Sequence, residues 1–229
     1  MRRRERLALG AAALGLALAG VALAFLWRPP QPLPAESTVE TLADYGPVPD
    51  FRLTERDGRT VTLADLRGKV WLANFIYTEC TETCPLQSLQ VQRLQEEFAE
   101  AGDLRFVSIT VDPEHDTPEV LRRYADRYGA APERWLFLTG PKPAIHALAE
   151  GGFKLGVSDA SPAARSDLRG WPLGPRAAFA SHGSGGLVLH SARFVLVDRQ
   201  ARIRAYHRTD DPDSLARLRD NLRALLAGA

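Results

Sequence analysis

Residues 69–85 read KVWLANFIYTECTETCP, and the change of character along this stretch decides the fold. Lys69–Thr78 is a nearly unbroken apolar run rich in β-branched and aromatic residues, the pattern of a strand buried on both faces. Such a strand belongs at the centre of a sheet. Cys80 and Cys84 follow at once, and then Pro85, which suits a first helical turn because its missing N–H would have no partner there anyway. Leu86, Leu89, Leu94 and Phe98, with Val91 between them, predict an apolar helical stripe running up to Gly102. The unit is strand, cysteine loop, helix.

The pattern repeats outward along the chain. Leu104–Val111 predicts the next strand, and Thr117-Pro118-Glu119 supplies an N-cap, a proline at the first position and an early acid for a helix running to Gly129. Trp135–Thr139 predicts a third strand and Pro143–Gly151 a short helix. Residues 158–186 then turn to Gly, Pro, Ser and Ala with no clear period, an insertion long enough to suggest a functional segment. Ala192–Asp198 and Ala201–His207 predict two strands turning at Asp198-Arg199-Gln200. Asp213-Ser214 predicts the cap of a last helix carrying Leu215, Leu218, Leu222 and Leu225. A βαβαβα unit followed by a hairpin and a helix predicts an α/β, thioredoxin-like fold, a central mixed sheet flanked by helices.

The chain has 229 residues, 45% hydrophobic and 25% charged, as expected of one folded domain. Its net charge of +1 is unevenly spread. Residues 1–28 hold Arg2, Arg3, Arg4, Arg6 and Arg28 against Glu5 alone, so the remainder is mildly acidic. An acidic body offers no electrostatic footprint for nucleic acid, and none is expected as a partner.

Leu7–Trp27 is an uncharged run of 21 residues, about 30 Å as a helix at roughly 1.5 Å per residue, the thickness of a bilayer core. It predicts a single transmembrane anchor. A cleaved signal peptide, ending at Ala17-Leu18-Ala19 or Ala22-Leu23-Ala24, is the alternative, and the length of the run favours the anchor. In both cases the arginines stay in the cytoplasm and the body is exported. The expected layout is a basic stub and anchor over 1–28, a proline-rich linker over 29–44 and the folded domain over 45–229. The expected location is the inner (cytoplasmic) membrane, single-pass, with the domain on its periplasmic side.

Cys80 and Cys84 are the chain's two cysteines. Four residues apart at a helix start, both thiols can reach one atom, and the helix N-terminus favours thiolate. Glu79 and Glu82 oppose that. Three readings stand. A structural disulfide across so short a loop gains only about 2 kcal/mol in the chain-entropy model. A thiol-disulfide oxidoreductase normally has two residues between its cysteines, whereas here there are three. A metal site suits two thiolates, which select Cu(I) or Zn, and an added imidazole makes Cu(II) acceptable. Two ligands leave a coordination sphere incomplete, so a metal site needs a third.

Three blocks, FIYTECTETCP at 75–85, SITVDPEHDTPEVLRRYADRYG at 108–129 and LHSARFVLVDRQARIRAY at 189–206, resemble in order and spacing the SCO/SenC family. Its members are membrane-anchored, thioredoxin-fold copper proteins that assist assembly of the dinuclear copper site of cytochrome c oxidase. The resemblance covers roughly residues 45–227 and the anchor. It implies copper, as Cu(I) or Cu(II), bound by Cys80, Cys84 and His190, with Asp112 as a supporting or structural acid. It implies delivery of copper to the copper-site subunit of cytochrome c oxidase or another cuproprotein, with other copper carriers as further partners. In that family Pro-Asp usually follows the first cysteine. Here Thr81-Glu82 keeps an acid but loses the proline, loosening the loop.

The alternative function is a membrane-tethered enzyme, a thiol-disulfide oxidoreductase using Cys80 and Cys84 catalytically to reduce client cysteines. The segment expected to face the cysteines, Gly186–Phe194, lacks the proline such enzymes place there. Among the other histidines, His115 is expected to be solvated or capping and His146 to be surface or packing. His182 is a possible auxiliary ligand. His207 has no partner at metal-ligand spacing.

Overall fold

The computed structural model describes residues 40–155, 157–159, 187–189 and 192–228, all within the unit Ser37–Ala229. The Leu7–Trp27 run, the proline spacer, most of segment 158–186, His182 and His190 lie outside the described residues. No helix among the described residues is long and apolar enough to cross a membrane.

Two short strands, β1 (Arg52–Glu55) and β2 (Thr60–Thr62), form a hairpin that the sequence pattern did not reveal. Its strands are too short to show a period: Leu53 and Val61 are their buried apolar residues. Gly58 turns the chain at φ +92°, a conformation open to glycine without strain. A one-turn helix, α1 (Leu63–Leu66), follows and is started by a Thr62–Asp65 capping box.

The deciding stretch forms β3 (Val70–Ile76), and all seven of its residues are buried. Helix α2 (Thr83–Glu97), β4 (Leu104–Thr110), α3 (Pro118–Arg127) and β5 (Trp135–Thr139) follow in the expected order. Thr117 caps α3 by accepting the Val120 N–H at 3.4 Å, with Pro118 in the first turn. After α4 (Lys142–Ala147) and a π-helical turn at Leu148–Gly152 come β6 (Val157–Asp159) and β7 (Leu187–Leu189), which pair with each other across the insertion. Strands β8 (Arg193–Val197) and β9 (Ile203–Arg208) form the closing hairpin, and α5 (Pro212–Ala227) ends the fold.

The main sheet has the order β2-β1-β5-β4-β3-β8-β9. Strands β3, β4 and β5 are parallel, whereas β8 pairs antiparallel with β3, Trp71 opposite Val197 and Ala73 opposite Val195. This is the thioredoxin-like mixed sheet flanked by helices. The pleat of β3 divides the core. Trp71, Ala73 and Phe75 join one cluster with Phe153, while Val70, Leu72 and Ile76 join another with residues of α2, α3 and α5.

Two sequence expectations need correction. The buried face of α2 consists of Cys84, Gln87, Ser88, Val91 and Leu94, leaving Leu86 and Leu89 exposed. The cap of α5 is Asp211, whose side chain accepts the Asp213 N–H. Ser214 is instead buried, donating to Glu40 at 2.6 Å and accepting the Arg208 N–H at 2.8 Å. Glu40, ahead of the residue 45 at which composition starts the domain, is therefore already part of the packed body.

Candidate metal centre

The site grows from the carboxyl end of β3. There the chain leaves the sheet in a tight turn, with the Cys80 N–H donating to the Tyr77 carbonyl at 3.2 Å. Helix α2 then starts at Thr83, and its first residues turn towards the sulfur they have just passed. The Cys84 N–H donates to Cys80 Sγ at 3.4 Å, and the Thr83 hydroxyl stands 3.7 Å from the same sulfur. Glu82, at the N-cap position, makes no side-chain capping bond. The Cys80 sulfur thus receives one of the N–H groups that a helix start leaves unpartnered.

Both cysteines are free thiols and both are buried. The hydrogen bond from the Cys84 thiol is the main reason the Cys80 pKa falls to about 4, with the Cys84 and Glu82 N–H groups and the Thr83 hydroxyl adding to it against the effect of burial. Cys84 is pushed the other way, first by its bond to Cys80 and then by burial. The pair is thus split in acidity, Cys80 the stronger acid and Cys84 the weaker. Burial, followed by the Cys80 sulfur near its hydroxyl, likewise raises the Tyr77 phenol.

A small recess opens beside the pair, lined by Tyr77, Thr83, Cys84, Gln87 and Ala192 among others. Beneath it a chain of neutral hydrogen bonds crosses the apolar core. Asn74 donates to Gln87 at 3.1 Å and accepts from Ser108 at 2.8 Å, and Ser108 in turn accepts from the Trp135 indole at 2.9 Å. Gln87, one turn after Thr83, is thereby tied to the central strands. A buried amide left without partners would cost about 1–3 kcal/mol, so this chain holds α2 at a defined rotation.

On the other side of the cysteine turn stands Asp116, which sequence reading missed. Its buried carboxylate accepts the Thr78 N–H at 3.1 Å together with the hydroxyls of Thr78 and Thr110. It joins the end of β3 to the end of β4. Burial raises its pKa even against these bonds. Asp112, the acid the resemblance singles out, pairs instead with the half-exposed His115 at 2.9 Å and raises the histidine pKa through that bond. No periodicity marks Asp116. The available hint is that two threonines end neighbouring parallel strands and need an acceptor.

Cys80 and Cys84 are brought together as expected, whereas His190 and His182 lie outside the described residues. Among the described residues no group of three or more His, Cys, Asp or Glu side chains could hold a metal ion. His207 is fully buried on β9, with Nε2 3.1 Å from the Asn221 side-chain nitrogen. His146 is half-buried on α4.

Comparison with known proteins places this geometry in a family. The SCO1/SenC family model matches residues 39–226. A SCO1 protein homolog of Bacillus subtilis is 42% identical over 94 residues, which are 41% of this chain and 49% of that protein. The chain therefore matches about half the length of this relative. Among solved structures, BsSco, described as having a disulfide switch and as a member of the Sco family of cytochrome c oxidase assembly proteins, is similar at 25% identity. Its TM-score is 0.63, covering 84% of this chain and 99% of that one. Copper-bound ScoI of Bradyrhizobium japonicum shares the fold at 22% identity and TM-score 0.55, covering 76% and 99%. With a family model that spans nearly all of the described fold, the chain belongs to the SCO1/SenC family.

Proposed function

We propose that this protein is a copper carrier that takes Cu(I) between Cys80 and Cys84, completes the site with His190, and delivers the ion to the copper-site subunit of cytochrome c oxidase during assembly. The observation that carries the reading is the pair of buried free thiols at the start of α2, joined by the Cys84 N–H donating to Cys80 Sγ at 3.4 Å, beside a recess. Two soft sulfurs suit a soft monovalent ion. The lowered Cys80 pKa favours the thiolate that metal binding requires, and the helix-start N–H of Cys84 at 3.4 Å supports that charge.

Support for the third ligand comes from chain connectivity. Ala192 lines the recess with Cys84, and His190 precedes it by two residues, a span of at most about 7 Å of chain. An imidazole makes Cu(II) acceptable as well. Copper-bound ScoI has the same fold, and the family is one of oxidase assembly proteins. The uncharged run at 7–27 supports a membrane anchor holding the domain on the periplasmic side, with the prolines of 28–36 as a spacer.

Competition titration of the reduced full chain with a Cu(I) chelator tests the proposal. One Cu(I) per chain is expected. Cys80→Ser should weaken binding by more than the roughly 10–100-fold typical of losing a residue that only supports a ligand. His190→Ala should mainly weaken Cu(II). Unchanged Cu(I) affinity in Cys80→Ser rejects the carrier.

The split acidity of the cysteines also favours a second reading, a thiol reductase. The Cys80 thiolate would attack a client disulfide, releasing one client thiol and forming a mixed disulfide. Cys84, losing its proton, would then attack Cys80 Sγ and release the second thiol. Two electrons pass to the client, and a Cys80–Cys84 disulfide remains for an external dithiol to reduce. Repeated disulfide turnover with a dithiol present, and no stoichiometric copper, would select this reading.

A further inference from the structure

The hydrogen-bond chain beneath the recess runs in one direction. An indole N–H can only donate: Trp135 gives its proton to Ser108, Ser108 gives its own to Asn74 Oδ1, and Asn74 gives an amide N–H to Gln87 Oε1. Every member is buried, and each bond polarises the next. The chain therefore ends on the Gln87 amide nitrogen. Among the described residues that nitrogen has no hydrogen-bond partner, so its N–H groups are unspent.

Nor is this donor sealed in the core. Among the described residues the enclosed side-chain nitrogens without partners are Trp71 Nε1, Arg134 Nε and His207 Nδ1, and Gln87 Nε2 is not one of them. The residue is only 2% exposed, and the opening it lines is the recess, in company with Thr83 and Cys84. Cys84 and Gln87 stand three apart on α2, on one helical face, with β-carbons about 5–6 Å apart. Side chains on a helix lean back towards its N-terminus. The Gln87 amide leans towards Cys84.

We infer that Gln87 is a positioning residue of the copper site, whose free amide N–H turns to the Cys84 sulfur once that sulfur holds the ion and so favours Cu(I) over Cu(II). The inference rests on the carrier reading above. When Cu(I) displaces the Cys84 proton to water, one monovalent ion sits between two thiolates and the buried pair keeps a single net negative charge. With Cu(II) the same pair is neutral. A buried charge without compensating dipoles is costly. A polarised N–H aimed at the sulfur compensates the anionic form more than the neutral one, which is how hydrogen bonds around a cysteine sulfur tune a copper redox potential.

The test combines NMR and redox titration of the reduced full chain in detergent micelles. Adding Cu(I), which is diamagnetic, should move one of the Gln87 side-chain amide protons downfield and slow its exchange with water. Gln87→Leu keeps the bulk and removes the donor, so Cu(I) should bind about tenfold more weakly with Cu(II) affinity nearly unchanged, lowering the Cu(II)/Cu(I) potential by about 59 mV. Ser88→Ala breaks a different bond that sets the rotation of α2, to Tyr124 at 2.9 Å, and should leave the potential at the parental value. Cu(I) bound with the Gln87 amide protons unmoved overturns the donor while leaving the carrier intact, and this reading needs no variant that folds. An unchanged potential in Gln87→Leu, or an equal fall in Ser88→Ala, does the same. A parent that binds no Cu(I) overturns both.

Discussion

Helices α2 and α5 contribute to the same hydrophobic cluster, yet they spend their residues in opposite ways. Helix α5 buries its entire leucine stripe, Leu215, Leu218, Leu222 and Leu225. Its arginines are tied to acids, Arg217 to Glu40 and both Arg219 and Arg223 to Glu97. Helix α2 buries Gln87 and Ser88 and leaves two leucines in solvent. The difference teaches that α5 is built to close the core, whereas α2 is built around the two sulfurs at its start. Its rotation is set by polar bonds to β3 and α3, from Gln87 to Asn74 and from Ser88 to Tyr124 at 2.9 Å. Apolar burial alone would turn it elsewhere.

The sharpest break of this contrast is Leu218→Ala against Leu86→Ala. The first removes a fully buried side chain and should destabilise by about 2–5 kcal/mol, whereas the second should change stability by less than about 0.5 kcal/mol. Urea denaturation of both variants checks it. Equal losses would mean that Leu86 packs as firmly as the stripe of α5.

The α5 side also carries a buried titratable group, His207. Burial pushes the His207 pKa down to about 4; Glu40 opposes that shift and Arg217 adds to it. The unfolded chain takes up this proton near pH 6.5 and the folded one only near 4, so the contribution to stability is complete above 6.5 and declines as pH falls towards 4. The loss reaches up to about 3 kcal/mol. His207→Phe should flatten this decline in a pH series of denaturation midpoints. An unchanged slope would show that the imidazole titrates freely. A smaller loss than that of Leu218→Ala is expected on α3, where Thr117→Ala removes a cap and should cost about 1 kcal/mol by the same measurement, with Cu(I) affinity unchanged.

Legibility in the sequence followed the type of force. β3, β4 and β5 were readable because a strand buried on both faces is a continuous apolar run, and the α3 start because Thr117-Pro118 is a local cap. The β1–β2 hairpin escaped because its strands are too short to show a period. Leu86 and Leu89 were misread because helical spacing says which residues share a face and not which face turns inward.

What the amino-acid order determined by itself is the α/β class, the strand–cysteine–helix unit and the pairing of Cys80 with Cys84, since each depends on residues close in sequence. Only the tertiary structure decided that Asp116 and not Asp112 fastens the cysteine turn, and that α2 faces its leucines outward. These depend on hydrogen bonds between segments far apart in the chain, such as Thr78 with Asp116 and Ser88 with Tyr124. Local sequence cannot register such bonds, because each partner is satisfied by a residue that only folding brings near.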